Sequence, residues 1–131
     1  MRPFEWLPSL LAALSAFALG GLWYSPLLFG KAWQRESGLT DEQLAAANKL
    51  KIFGGSFVLC LVAAVAFSMV IGPDASFFMA FHSGVGVGLA WVATSFGVNY
   101  LFELKSLKLW LINAGYHSAQ FTLYGLVFGL M

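Results

Sequence analysis

Residues 109–131 read LWLINAGYHSAQFTLYGLVFGLM, a run long enough to cross a bilayer as one helix. At about 100° per residue, four polar side chains of this run fall on one face within an arc of about 60°. We call them the polar stripe: Asn113, His117, Gln120 and Tyr124. Because hydrocarbon offers no hydrogen-bond partner, the polar stripe is expected to face other helices, a bound molecule or a water-filled cavity.

The composition is that of an integral membrane protein. Hydrophobic residues make up 60% of the 131 residues and charged residues only 10%, which exceeds the apolar share of soluble domains. The net charge of +1 provides no electrostatic basis for binding nucleic acid. The single cysteine, Cys60, excludes an intrachain disulfide and a zinc site built on paired cysteines.

Four apolar runs predict an all-α fold, a four-helix bundle in a single transmembrane domain that covers residues 1–131. The expected spans are about 9–29, 52–71, 76–102 and 109–130. Pro26 is expected to kink or stop the first helix, since it cannot donate to the carbonyl of Leu22. The residues that follow, Leu27 to Trp33, predict a short interfacial segment with aromatic side chains at headgroup level.

Side chains that can cap a helix predict where two of the helices begin. Thr40 and Gln43 have the spacing of a capping box, so a helix is predicted to begin at Asp41. Nothing is expected to break it before Gly72, and its first part would form a capped cytoplasmic extension of the second span. After the turn at Gly72, Asp74 or Ser76 is expected to cap the third helix.

Small residues recur at four-residue intervals in three of the predicted spans and indicate faces for close helix packing. The residues assigned to these faces are Ala16, Gly20, Gly84, Gly88, Gly125 and Gly129. Such faces exceed what a minimal bundle needs internally. The sequence therefore predicts a homo-oligomer or a place in a larger membrane complex, with the lipid bilayer as the general partner.

The basic residues predict the orientation in the membrane. The segment 30–51 and the link 104–108 hold six of them, and the opposite side holds only Arg2. These six are Lys31, Arg35, Lys49, Lys51, Lys105 and Lys108. Because positively charged loops stay in the cytoplasm, both termini are expected to face away from it.

Two stretches carry a resemblance to a known family: GLWYSPLLFGKAW at 21–33 and WLINAGYH at 110–117. In these stretches, and over essentially its whole length, the chain resembles small bacterial membrane proteins catalogued as domain of unknown function 1761. The resemblance implies a bacterial inner-membrane protein with four spans. The family brings no established substrate, cofactor or catalytic residue, so no role is carried over to this chain.

Two classes of function stay open. In the first, which we favour, the chain is a structural or accessory helix-bundle module and the polar stripe joins helices by hydrogen bonds. In the second, it binds or transports a small molecule or ion along the third and fourth spans. That path would be lined by His82, Asn99, Asn113, Tyr116, His117, Gln120 and Tyr124. A joining role requires paired and dry groups, whereas a path requires unpaired groups that face a cavity.

No cofactor or metal is expected. His82 and His117 should differ in depth by about 10 to 15 Å, which is too much for two ligands of one haem iron in one chain. A haem held between the His117 residues of two chains stays open as an alternative. His82 is instead predicted to hydrogen-bond to Tyr124.

Catalysis is not expected either. Ser83 and Ser118 each follow a histidine directly, and neighbouring helical residues point about 100° apart, so neither pair forms a nucleophile and base. The carboxylates all lie at span ends or in loops, which disfavours proton-coupled export of cations.

Overall fold

The computed structural model describes residues 6–131, and its regular secondary structure there is helical. The helices are α1 (Trp6–Trp23), α2 (Gly30–Ser37), α3 (Asp41–Ala46), α4 (Lys49–Ile71), α5 (Phe77–Gly86), a π-helical segment (Val87–Ala93), α6 (Thr94–Phe102) and α7 (Leu107–Leu130). Arg2, the one basic residue predicted on the side opposite the cytoplasm, and Glu5, one of the carboxylates at span ends, lie outside the described residues.

Three helices are long and apolar enough to cross a membrane: α1, α4 and the continuous helix Phe77–Phe102 formed by α5, the π-helical segment and α6. This is consistent with a multi-pass membrane protein. With 24 residues α7 is longer than α1 and α4 and two residues shorter than the 26-residue helix Phe77–Phe102, but the polar stripe makes it more polar.

α7 is the central helix. It packs on α5 and the π-helical segment along one side and on α1 along another, while α4 lies chiefly on α1. No residue of α7 from Ile112 to Gly129 is exposed. Tyr124 joins the buried cluster between α1 and α4, where Ala16 and Phe67 are among its members. The most polar long helix is thus covered by the three apolar ones.

Glycines allow α5 and α7 to approach backbone to backbone. A Cβ added at Gly84 would meet the carbonyl oxygen of Phe121, and one added at Gly125 would meet that of Ala80. At Gly88 it would lie 2.7 Å from the Cα of Ser118. The contact brings the two helix backbones into van der Waals contact.

The remaining small residues of the predicted packing faces also lie inside the single chain. Ala16 is fully buried. A Cβ at Gly20 would lie 3.1 Å from the Tyr116 hydroxyl, and one at Gly129 would lie 2.9 Å from the Phe77 ring. The small-residue faces from which a homo-oligomer was predicted are therefore covered by other helices of the same chain. The homo-oligomer stays a prediction, but these faces no longer support it.

The π-helical segment was not predicted, although the sequence contains its signal. Small residues on the face toward α7 follow at steps of four, four, five and four: Ala80, Gly84, Gly88, Ala93 and Gly97. The five-residue step coincides with the π-helical segment. One extra residue in that turn keeps the small face on α7 instead of letting it rotate away.

The predicted capping box is confirmed, but the unbroken helix after it was wrong. The Thr40 hydroxyl accepts from the amide of Gln43 at 3.0 Å, and the Gln43 side chain accepts from the amide of Thr40 at 2.8 Å. The capped extension is nevertheless a separate short helix, α3, because Asn48 starts a new one. Its side chain accepts from the amide of Lys51 at 3.1 Å, and asparagine favours such local bonds over helix continuation.

The other helix boundaries differ from the expectations in detail. The segment after Pro26, which was predicted to be interfacial, is a turn followed by α2, an eight-residue helix. Ser76, not Asp74, caps the third long helix, since its hydroxyl accepts from the amide of Met79 at 3.1 Å. Ser106 caps α7 in the same way through the amide of Leu109.

Candidate functional site

The two stretches that carry the family resemblance contact each other. The indole Nε1 of Trp23 donates to the carbonyl of Ile112 at 2.9 Å, and the Tyr24 hydroxyl donates to Oδ1 of Asn113 at 2.6 Å. A Cβ at Gly115 would lie 3.1 Å from the Trp23 ring. The turn after α1 is therefore docked on the first half of α7, and we call this contact the turn–α7 junction.

Pro26 and Gly30 shape the turn. α1 ends three residues before Pro26, so the predicted stop is confirmed. The freed carbonyl of Leu22 accepts from the amide of Ser25 at 3.2 Å and from its hydroxyl at 2.7 Å. The amide of Gly30 donates to the carbonyl of Ser25 at 2.9 Å, and a Cβ on Gly30 would meet the carbonyl oxygen of Tyr24.

Asn113 lies at the centre of the junction and bridges two elements. Its Oδ1 accepts from Tyr24, and its Nδ2 donates to the hydroxyl of Tyr100 on α6 at 2.7 Å. Tyr24 is itself held edge-on against Trp33 of α2, with ring centroids 5.7 Å apart. One amide thus joins α7 to the turn and to α6.

A second tyrosine joins α7 to α1. The hydroxyl of Tyr116 donates to the backbone carbonyl of Ala16 at 2.8 Å, and both residues are buried. The close approach of the ring to Gly20 explains why a small residue occurs there. Tyr116 therefore anchors the middle of α7 to the middle of α1.

A chain of hydrogen bonds runs from the middle of α7 to α4. Tyr124 donates to the backbone carbonyl of Cys60 at 2.7 Å, and Nε2 of Gln120 donates to the Tyr124 hydroxyl at 2.7 Å. Oε1 of Gln120 then lies 2.6 Å from Nδ1 of His117. Because an amide oxygen only accepts, Nδ1 carries the proton, and Nε2 of the neutral ring is left as an acceptor.

His117 is otherwise held by aromatic contacts. Its ring stacks on Phe96 with centroids 5.0 Å apart and an interplanar angle of 15°. The edge of the Tyr116 ring lies against it at 4.9 Å. Within residues 6–131, Nε2 of His117 has no hydrogen-bond partner, whereas the side-chain nitrogen and oxygen atoms of Asn113, Gln120 and Tyr124 are paired.

Two residues assigned to the possible path lie elsewhere. His82 is exposed on α5, where Nδ1 bonds to the carbonyl of Phe78 at 2.9 Å and the ring stacks on Phe78 at 3.9 Å. The predicted bond between His82 and Tyr124 was wrong. His82 is two residues from Ala80, which faces α7, so the helical period turns it to the other side. Asn99 is likewise exposed, beside Tyr100.

Tyr24, Tyr100 and Cys60 were not predicted as partners of the polar stripe. Equal spacing from the link between α6 and α7 does not predict Tyr100, which lies two residues before the end of α6 while Asn113 lies six residues after the start of α7. Tyr24 lies in one of the two stretches of the resemblance. The backbone carbonyl of Cys60 had no sequence signal, because a carbonyl is common to every residue.

The arrangement is suited to joining helices. Hydrogen bonds connect α7 to the turn after α1, to α1 itself, to α4 and to α6. Among residues 6–131 there is no group of three or more His, Cys, Asp or Glu side chains that could hold a metal ion. The site offers hydrogen-bond donors and acceptors, with Nε2 of His117 as a free acceptor.

No curated protein and no solved structure matches the chain. A family described as "Protein of unknown function (DUF1761)" matches over residues 7–129, which include both sides of the turn–α7 junction and the whole polar stripe. By this match over nearly all of its length, the chain belongs to the DUF1761 family.

Proposed function

We propose that the chain is a small four-span protein of the bacterial inner membrane that acts as a structural or accessory helix-bundle module. The observation that carries this proposal is the pairing of the polar stripe. Asn113, Gln120 and Tyr124 each use their polar atoms in hydrogen bonds to other helices, to the turn or to each other. A path for ions or small molecules would need several of these groups to be free.

The energies fit a joining role. Hydrogen bonds between membrane helices contribute about 0.6 kcal/mol on average and up to about 1.7 kcal/mol each. Four such connections fix α7 in depth and rotation against its neighbours, while the glycine contact with α5 supplies the close packing. The bundle then presents a rigid apolar outer surface to lipid or to a larger membrane complex.

We include α7 as the fourth span because its neighbours cover it from Ile112 to Gly129. With four spans, and with the basic residues concentrated in the segment 30–51 and the link 104–108, both termini face away from the cytoplasm. Alkaline phosphatase fused to either terminus is expected to be active, and green fluorescent protein fused there is expected to be dark. The opposite pattern is expected for fusions after residue 39. Termini on opposite sides of the membrane would remove α7 as a span.

Replacing Asn113 with leucine is expected to lower the free energy of unfolding by about 1 to 3 kcal/mol. The substitution removes both bonds of the bridge and leaves the hydroxyls of Tyr24 and Tyr100 without their partner. Thermal unfolding in detergent micelles, followed by circular dichroism, measures the loss. The matched control is Asn99→Leu, the same change at an exposed position of α6, which is expected to leave the midpoint unchanged. Equal midpoints for the two variants would contradict the joining role.

A second candidate function, binding of a small molecule or ion, is favoured by one observation: Nε2 of His117 is a preset acceptor without a partner in residues 6–131. Under that function His117→Leu would leave the folded bundle intact and abolish binding. Under the joining role it removes one hydrogen bond and the stacking on Phe96, and the midpoint falls less than for Asn113→Leu.

A further inference from the structure

A cavity of about 280 Å³ opens between the end of α6 and the first turn of α7. Leu101, Leu107 and Trp110 form its apolar walls, and Tyr100 and Lys105 line it as well. We propose that this cavity binds an anionic phospholipid, with the headgroup phosphate at Lys105 and the acyl chains along the apolar walls. The inference rests on the proposed membrane insertion.

The charged group of the cavity suits an anion. The ammonium group of Lys105 has no hydrogen-bond partner in the described part of the chain, and a cation matches the acceptor oxygens of a phosphate. The hydroxyl of Tyr100 is instead engaged with Asn113, which does not line the cavity. The indole N–H of Trp110 is engaged with the carbonyl of Ala93 at 2.9 Å, so this wall is held in place.

The surroundings are positively charged on balance. A hydrogen bond of 2.6 Å from the Ser106 hydroxyl to Glu36 shows that α2 and the link before α7 lie on the same side of the bundle. The segment 30–51 and residues 103–108 together contain six basic residues and four acidic ones, Glu36, Asp41, Glu42 and Glu103. The difference of +2, six minus four, attracts anionic headgroups at the membrane surface.

The walls favour a lipid over a soluble anion. Two of the lining residues, Leu101 and Leu107, are 78% and 70% exposed, so the apolar walls continue into the outer surface of the bundle. A soluble phosphate would leave these walls in water, whereas an acyl chain covers them. An amphiphile with an anionic head therefore matches both halves of the cavity.

Native mass spectrometry of the purified full chain, titrated with phosphatidylglycerol or phosphatidylcholine, tests the assignment. We expect one phosphatidylglycerol to bind about fivefold more tightly than phosphatidylcholine, the preference that one well-placed lysine provides. Lys105→Gln is expected to abolish this preference. The matched control is Lys31→Gln, the same loss of charge on the same side of the bundle, which is expected to keep it.

Three results would overturn the lipid site. If Lys105→Gln and Lys31→Gln reduce the preference for phosphatidylglycerol equally, the preference comes from diffuse surface charge. Displacement of phosphatidylglycerol by an equal concentration of inorganic phosphate would assign the cavity to free phosphate. If the chain floats with liposomes but binds phosphatidylglycerol and phosphatidylcholine equally, the lipid site alone is rejected. If the chain does not float with liposomes, the proposed membrane insertion is rejected as well.

Discussion

Replacing Gly84 with alanine is expected to lower the free energy of unfolding by about 3 kcal/mol or more. The added methyl group would meet the carbonyl oxygen of Phe121, with the amide nitrogen of Gly125 3.2 Å away. Both are backbone atoms of α7, so no flexible side chain can move aside, and the two helices must separate. The midpoint of thermal unfolding in detergent micelles measures the effect.

Gly86 offers a matched control on the same helix. A Cβ there meets nothing within 4 Å, and the backbone is helical at both positions. Gly86→Ala is therefore expected to leave the midpoint unchanged or to raise it slightly, since alanine is the better helix former. If Gly84→Ala and Gly86→Ala lower the unfolding midpoint by similar amounts, α5 and α7 are not in backbone contact. Gly125→Ala, which introduces a clash with the carbonyl of Ala80, repeats the test from the other helix.

Replacing Gly30 with alanine is expected to lower the free energy of unfolding by about 2 to 3 kcal/mol. The methyl group would meet the carbonyl oxygen of Tyr24, and the carbonyl group of Ser25 lies 2.8 Å away. These atoms belong to the turn after α1, so the turn must open. Opening it withdraws Tyr24 from Asn113 and undoes the turn–α7 junction. Thermal unfolding measures the loss, and Gly21→Ala, with open space around its Cβ, is the control.

A double-mutant cycle shows whether the effect of Gly30→Ala passes through the junction. If the turn opens, Tyr24→Phe added to Gly30→Ala should cost less than Tyr24→Phe alone, because the bond to Asn113 is already lost. Strictly additive losses would show that the turn strains locally while the junction stays closed. Additivity would then contradict the structural coupling between the two stretches.

The sequence by itself determined the long helices, their apolar character, the stop at Pro26 and the capping box at Thr40. These features depend on local chemistry: a missing N–H, a side chain within reach of its own backbone, or the period of apolar residues. The polar stripe on α7 was also readable, because a face is defined by residue spacing along one helix.

Only the tertiary structure decided which groups meet the polar stripe. Whether Tyr124 bonds to His82 or to the carbonyl of Cys60 depends on the relative rotation and depth of separate helices. The spacing of residues within one helix specifies neither the rotation nor the depth of that helix relative to its neighbours. At Asn48 the side chain bonds to the amide of Lys51 and starts a new helix, and the apolar period did not predict this break. The π-helical segment depends on both sequence and tertiary structure. The five-residue step from Gly88 to Ala93 is visible in the sequence, but it indicates a π-helical turn only when α7 is known to pack against that face.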